Sequence, residues 1–153
     1  MEIERKFLVV GEPWRTAGPG VALRQGYLST DGAVSVRVRI SPEHAWLTLK
    51  GPTTGISREE FEYPIPRADA VVLLASCAEL VVEKLRHRLR VADHVWEVDV
   101  FTGRNAGLVV AEIELEHEAE TFVRPDWLGA EVSYDERYRN SALAKRPYST
   151  WEV

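Results

Sequence analysis

The stretch Glu2-Ile3-Glu4-Arg5-Lys6-Phe7-Leu8-Val9-Val10 decides the fold. In a β-strand successive side chains alternate, so Glu2, Glu4 and Lys6 share one face while Ile3 and Phe7 share the other. Same-face neighbours stand about 7 Å apart. Two carboxylates that close repel unless a cation or solvent lies between them. The pair is therefore a candidate metal site, and its strand must turn the charged face toward something that offsets the repulsion.

The same period recurs along the chain. A short helical segment around Trp14 and Arg15, bracketed by Gly11, Pro13, Gly18, Pro19 and Gly20, leads to a strand over 21–28 in which Gln25 and Tyr27 share a face. Ser29-Thr30-Asp31-Gly32 is a turn signal. In 34–40, Val34, Val36, Val38 and Ile40 alternate with Ser35, Arg37 and Arg39, and in 46–50 Thr48 and Lys50 share a face. Glu60 and Glu62 alternate with Phe61 and Tyr63 in a strand ending near Pro64. Residues 67–80 carry Ala, Val and Leu at helical spacing and are expected to form the one long helix. Strands resume over 81–91, 95–101 and 108–116. Asp135 is placed to cap a last helix that runs to about Lys145 before Pro147.

Most strands carry one sign of charge on their polar face. Acids stand at Glu2, Glu4, Glu60, Glu62, Glu97, Asp99, Glu112, Glu114 and Glu116, and bases at Lys6, Arg37, Arg39, Lys50, Lys84, Arg86 and Arg88. Solvated faces of an antiparallel sheet explain any one strand. They explain the set poorly, because a merely soluble face gains from mixed signs. The alternative is a barrel or strongly curved sheet with its charges inside. Its acidic strands would collect hard divalent cations, which take carboxylate and phosphate oxygens, and its basic strands a polyanion.

At 153 residues with 45% hydrophobic content, the chain is expected to form a single domain over 1–153. One cysteine, Cys77, excludes an internal disulfide and a cysteine-rich zinc site and fits a reducing, cytoplasmic location. No stretch approaches the roughly 20 apolar residues of a membrane span, and acids at positions 2 and 4 do not suit a signal peptide. The formal net charge of −5 argues against a general nucleic-acid binder. The four histidines show no metal-ligand spacing, with His87 expected on the apolar face of its strand beside Leu85 and Leu89. Cys77, Trp46 and Trp96 read as packing residues.

Seven ordered blocks, EIERKF, VRVR, LTLKG, EFE, EKLRHR, AEIELE and SYDERYRNSALA, together resemble the CYTH superfamily of triphosphate tunnel metalloenzymes. The resemblance implies an α+β fold: an eight-stranded antiparallel β-barrel forming a tunnel with a charged interior, helices packed outside and a triphosphate threaded through it. It implies Mg²⁺ or Mn²⁺ held by Glu2, Glu4, Glu112 and Glu114, with Glu62 as a further ligand. The phosphates would be held by Arg37, Arg39, Lys50, Lys84 and Arg86, and by Lys6; Arg88 and Arg137 are weaker candidates. Tyr27, if the first two strands pair, would sit near Lys6, and the two would share a catalytic role in proton transfer.

These expectations amount to a divalent-metal-dependent hydrolase of triphosphates, with inorganic tripolyphosphate the favoured small-molecule substrate. Partnership with nucleic acid or membrane is not expected, and a homodimer is left open. A class IV-type adenylate cyclase, a nucleoside or thiamine triphosphatase and a non-catalytic polyphosphate-binding module remain alternatives.

Overall fold

The computed structural model describes residues 1–30, 33–77 and 79–151. Among them, ten strands form one antiparallel sheet: β1 (Glu2–Val9), β2 (Val21–Ser29), β3 (Ser35–Ile40), β4 (Ala45–Lys50), β5 (Ser57–Arg58), β6 (Glu60–Pro64), β7 (Val81–Val91), β8 (His94–Thr102), β9 (Val109–Glu114) and β10 (Leu128–Glu131). The order is β10-β1-β9-β8-β7-β2-β3-β4-β6, with β5 also on β1. Two α-helices accompany the sheet, α1 (Arg67–Ala75) and α2 (Asn140–Lys145), so the class is α+β and mostly antiparallel β.

The strand count and closure differ from an eight-stranded barrel. Two short strands, β5 and β10, carry too little alternation to be seen in sequence, and the hydrogen-bonded path is not closed. One residue, Glu59, separates β5 on β1 from β6 on β4, so a single short stretch touches both sides of the opening. The Asp31 and Gly32 positions of the expected turn lie outside the described residues. Helix α1 is shorter than the expected 67–80. Ser76 and Cys77 turn their N–H groups back to the carbonyls of Leu73 and Leu74 and tighten the end of the helix; Ala78 is outside the described residues. Asp135 does act as a cap, accepting from the Arg137 N–H, but over a 3₁₀ turn, Glu136–Tyr138, that precedes α2.

Register separates the two faces of the sheet. Residues directly opposite on neighbouring strands point the same way. Lys6 faces Glu112, Glu112 faces Glu97, Arg86 faces Asp99, Tyr27 faces Arg37, Arg37 faces Thr48 and Lys50 faces Glu60. The charged positions therefore share the inner face. On the outer face Phe7, Trp96, Val98, Ala111 and Ile113 are buried beneath Phe122, Trp127 and Leu128. Trp96 meets Phe7, Phe122 and Trp127 edge-on, each at 5.6 Å between ring centres. Farther round, Val38 and Ala45 pack under Ala70, Leu74 and Cys77 of the α1 region. Gly26 permits that approach, since a Cβ there would lie 2.6 Å from the Cys77 Sγ.

Only α1 obeys the expectation of helices outside. Leu143 and Ala144 of α2 pack with Tyr27, Val82, Phe101, Val110 and the partly buried Leu8. By strand parity these five belong to the charged face, beyond the last charges of their strands. The C-terminal helix thus seals one end of the inner face with apolar side chains. Leu143 is fully buried, so Leu143→Ala should lower unfolding stability by about 2–5 kcal/mol in chemical denaturation. A loss below about 1 kcal/mol would show that α2 is not docked.

Candidate active site

The inner face encloses a cavity of about 810 Å³, lined from β1 to β9 by residues that alternation alone had grouped together. All twelve sequence candidates line it: Glu2, Glu4, Lys6, Tyr27, Arg37, Arg39, Lys50, Glu62, Lys84, Arg86, Glu112 and Glu114. The site is built from unequal charge clusters.

The first cluster is basic. Arg37 is 6% exposed; its Nη2 donates to Thr48 Oγ1 at 3.2 Å and stands 3.6 Å from Glu62, while its Nε has no hydrogen-bond partner among the described residues. The Thr48 hydroxyl in turn donates a hydrogen bond to Glu62 Oε2 at 3.1 Å. Arg39 donates from Nε to Gln25 Oε1 at 2.9 Å. Burial, then Arg37 and Arg86, push its guanidinium down to about 10. A guanidinium so far below its ordinary value lacks anionic partners, and a polyanion would supply them.

The second cluster is balanced. Lys84, 2% exposed, reaches Asp99 at 2.7 Å and donates to Asn140 Oδ1 at 2.9 Å. Burial drives its ammonium down to about 7, with Arg86 and Arg39 adding to the fall against the pull of Asp99. Arg86 forks onto Asp99 at 2.8 and 2.9 Å and reaches Glu97 at 3.2 Å, and these acids outweigh burial and hold it well above its usual value. Asp99 is thus a structural counter-ion, lowered by Lys84 and Arg86 although burial acts the other way. Arg88, 73% exposed at the side chain, lies outward of Glu97 at 3.3 Å.

The third cluster is acidic. Glu2 contacts Lys50 at 3.0 Å, and Lys50 also contacts Glu60 at 3.1 Å. Burial still raises Glu2 to about 7, helped by a hydrogen bond to Glu60. Burial, then Glu112 and Glu2, lift Glu4 well above the carboxylate range. Glu112 goes the other way: Lys6, Lys84, Arg86 and a hydrogen bond from Glu4 overcome burial and hold it far below normal. Burial and neighbouring carboxylates thus favour the protonated form of Glu4, whereas the surrounding cations favour the ionised form of Glu112.

A hard divalent cation suits that donor set. Among the described residues no three His, Cys, Asp or Glu side chains converge closely enough to enclose a metal unaided. Mg²⁺ rarely needs such a cage, because it keeps waters and uses one or two carboxylates together with phosphate oxygens. Glu2, Glu4 and Glu112 are the carboxylates on which such a cation would draw. Glu114, exposed and opposite Glu4, is the next oxygen donor along the wall.

The arrangement of Tyr27 differs from expectation. β1 pairs with β5, β9 and β10, whereas β2 pairs with β3 and β7, so the pairing that would set Tyr27 beside Lys6 does not exist. The phenol instead accepts from Gln25 Nε2 at 3.1 Å and is 5% exposed within the apolar plug. Lys6 lies 3.8 Å from Glu112 and donates to the Tyr138 carbonyl at 3.2 Å. Arg137 is outside the cavity, paired with Asp135 at 2.7 Å and stacked over Trp151 at 4.9 Å. Glu116 is exposed and away from the lining. His87 is 8% exposed, packed near Trp14 with its Nδ1 unpartnered.

Arg58, Arg139 and Asn140 are among the lining residues that escaped the sequence reading. Arg58, opposite Glu2, has its Nε buried without a hydrogen-bond partner among the described residues. Its parity with Glu60 and Glu62 was the available signal. Arg139 and Asn140 reach the lumen from the C-terminal segment, and no local period announces that return.

Comparison with known proteins agrees with this geometry. The CYTH domain pattern matches residues 1–148. An inorganic triphosphatase of Acetivibrio thermocellus is 48% identical over 152 residues, covering 99% of this chain and 97% of that protein. An inorganic triphosphatase of Nitrosomonas europaea is 39% identical over 147 residues, covering 94% and 96%. A solved crystal structure of an inorganic triphosphatase superposes with a TM-score of 0.69 at 37% identity, covering 94% of both chains. With a matching pattern over nearly its whole length and relatives this similar, the chain belongs to the CYTH domain family.

Proposed function

We propose that this protein is a divalent-metal-dependent triphosphatase that hydrolyses inorganic tripolyphosphate to pyrophosphate and orthophosphate. Support comes above all from the under-compensated charges of both signs on one enclosed face: Arg37 and Arg39 without sufficient anions, Glu2 and Glu4 without sufficient cations. A bound metal and polyphosphate would satisfy both at once. Close similarity to two inorganic triphosphatases supports the choice of substrate.

In this reading the sheet wraps the substrate as an eight-stranded tunnel, the β5–β6 stretch spanning the opening between β1 and β4. The domain spans the chain, and a cytoplasmic location suits a chain with one buried free cysteine. Among the described residues no helix is long and apolar enough to cross a membrane.

The residues divide the work. Arg37, Arg39, Lys50, Lys84, Arg86 and Lys6 hold phosphate oxygens, and charge developing on the leaving phosphate meets cations already in place. Glu2, Glu4, Glu112 and Glu114, with Glu62, hold Mg²⁺ or Mn²⁺. When bound, the metal supplies Lewis-acid neutralisation of phosphate oxygens and a more acidic water. In this reading Tyr27 and Lys6 handle protons from separate, unpaired strands of the lining. The α2 plug closes one end, so the substrate enters from the end lined by Trp46 and Arg88.

Incubation with tripolyphosphate, ATP or thiamine triphosphate and Mg²⁺, Mn²⁺ or Ca²⁺, with the products resolved, tests the assignment. Orthophosphate release from tripolyphosphate is expected. Cyclic AMP with pyrophosphate from ATP would make the protein a cyclase, and calorimetric binding without product would make it a polyphosphate-binding module. Arg37→Ala and Glu112→Gln should each reduce kcat/KM by about 100-fold or more. Tyr27→Phe should alter the pH profile of turnover, and an unchanged profile removes the phenol from the mechanism.

The raised Glu2 carboxyl gives a signed pH dependence. Folded, it keeps its proton to about pH 7; unfolded, it ionises near its ordinary value of 4.5. Between those values the folded chain binds more protons, so stability falls as pH rises through the window. The contribution is on the order of 3 kcal/mol at most. Glu112 and Asp99, both lowered, act only below their ordinary values of 4.5 and 3.8. The metal-free melting temperature should decline between about pH 5 and pH 7.5. Added Mg²⁺ should reverse the decline, and Glu2→Gln should make it shallower, the raised Glu4 accounting for the remainder. A flat parent profile would contradict the buried-carboxyl account.

A further inference from the structure

The cations of the lumen are tied to the C-terminal segment by a chain of side-chain hydrogen bonds that strand pairing does not create. Asn140 Oδ1 accepts from Lys84 Nζ at 2.9 Å and from Gln25 Nε2 at 3.3 Å. Gln25, fully buried, accepts on its own Oε1 from Arg39 Nε at 2.9 Å. One amide oxygen on α2 is thereby linked directly to a lysine on β7 and, through one further amide, to an arginine on β3. Two residues earlier, the Tyr138 carbonyl accepts from Lys6 Nζ at 3.2 Å. A segment of three residues therefore fixes Lys6, Lys84 and Arg39, which lie on three different strands.

The chemistry of these partners is selective. Lys84 and Arg39 are like charges whose fields work against each other. A carboxylate at the junction would neutralise them and compete with a phosphate. A neutral amide orients both without cancelling their charge. Gln25 also takes the conformation in which one end of its amide accepts from a cation and the other donates, so reversing it would break two contacts.

We infer that Asn140, acting through Gln25, is a positioning residue that sets the spacing of Lys84 and Arg39 for the substrate's phosphates, so that docking of the C-terminal helix completes the anion site. The inference rests on the triphosphatase reading for its substrate.

Steady-state kinetics with tripolyphosphate and Mg²⁺ on the full chain test it, together with melting temperatures and calorimetric tripolyphosphate binding. Asn140→Leu, which keeps the shape and removes the acceptor, should raise KM about 10- to 100-fold, the scale of a lost hydrogen bond to a charged group, while kcat stays within about threefold. Asn140→Asp, which keeps an acceptor at the same place but sets a carboxylate against Lys84, should also raise KM, with the melting temperature held at or above the parent's. Combined with Lys84→Met, the asparagine change should add less than its separate effect, since its action runs partly through that lysine.

An unchanged KM in Asn140→Leu overturns the inference, as does full additivity with Lys84→Met. Equal impairment of the Leu and Asp variants in step with a lowered melting temperature also overturns it by assigning a purely structural role. If Asn140→Leu does not fold, Asn140→Ser, too short to span the same distance, is judged by the same criteria. A parent that binds tripolyphosphate without cleaving it sinks the triphosphatase reading alone; the binding constants of the same variants then decide the positioning role.

Discussion

Incomplete charge compensation on an enclosed face is the constraint on which the structure depends. A buried ion pair is tolerated when its partners and their remaining hydrogen bonds are satisfied, and is costly when one partner is left alone. Lys84, Asp99 and Arg86 pair among themselves at the centre of the face. On either side of this centre the balance fails in opposite directions. Toward β3 guanidinium groups accumulate, and Arg39 is pushed down. Toward β1 carboxyls accumulate, and Glu2 and Glu4 are pushed up. The two imbalances are separated in space and opposite in sign, which makes them complementary to a metal salt of a polyanion and to neither ion alone.

The rest of the fold makes that face possible. A charged inner wall gives the sheet no core of its own, so the apolar burial that offsets conformational entropy comes from the outer face and from one end. Phe7, Trp96 and Ile113 are covered by the loop after β9 and by β10, and α1 covers β3 and β4, brought close by Gly26. The α2 plug adds an apolar floor of Tyr27, Val82, Phe101 and Leu143. Stability and ligand chemistry are thus placed on opposite sides of the same strands.

The division explains which side chains were legible in advance. Glu2, Glu4, Arg37, Arg39, Lys84, Arg86, Glu112 and Glu114 announce their common face through a period of two, and antiparallel register then brings neighbouring strands into line. Arg58 carried the same period but sat on a strand of two residues, too short to show it. Tyr27 shared the correct face, yet its neighbours depended on strand order: β2 lies between β7 and β3, which places the phenol with Gln25 and not with Lys6. Closure was equally hidden, because a stretch that changes partners between β5 and β6 has no signature in local alternation.

Sequence by itself determined which residues share a face, the sign of charge on each strand and the family, because these follow from alternation and from ordered motifs. Tertiary structure decided which acids meet which bases, which charges remain uncompensated, and that α2 enters the end of the sheet and hands Asn140 to Lys84 and Gln25. The reason is physical. Parity is a property of one strand, whereas compensation depends on distances and burial among strands far apart in the chain, and those exist only once the sheet has curved and its end has been filled.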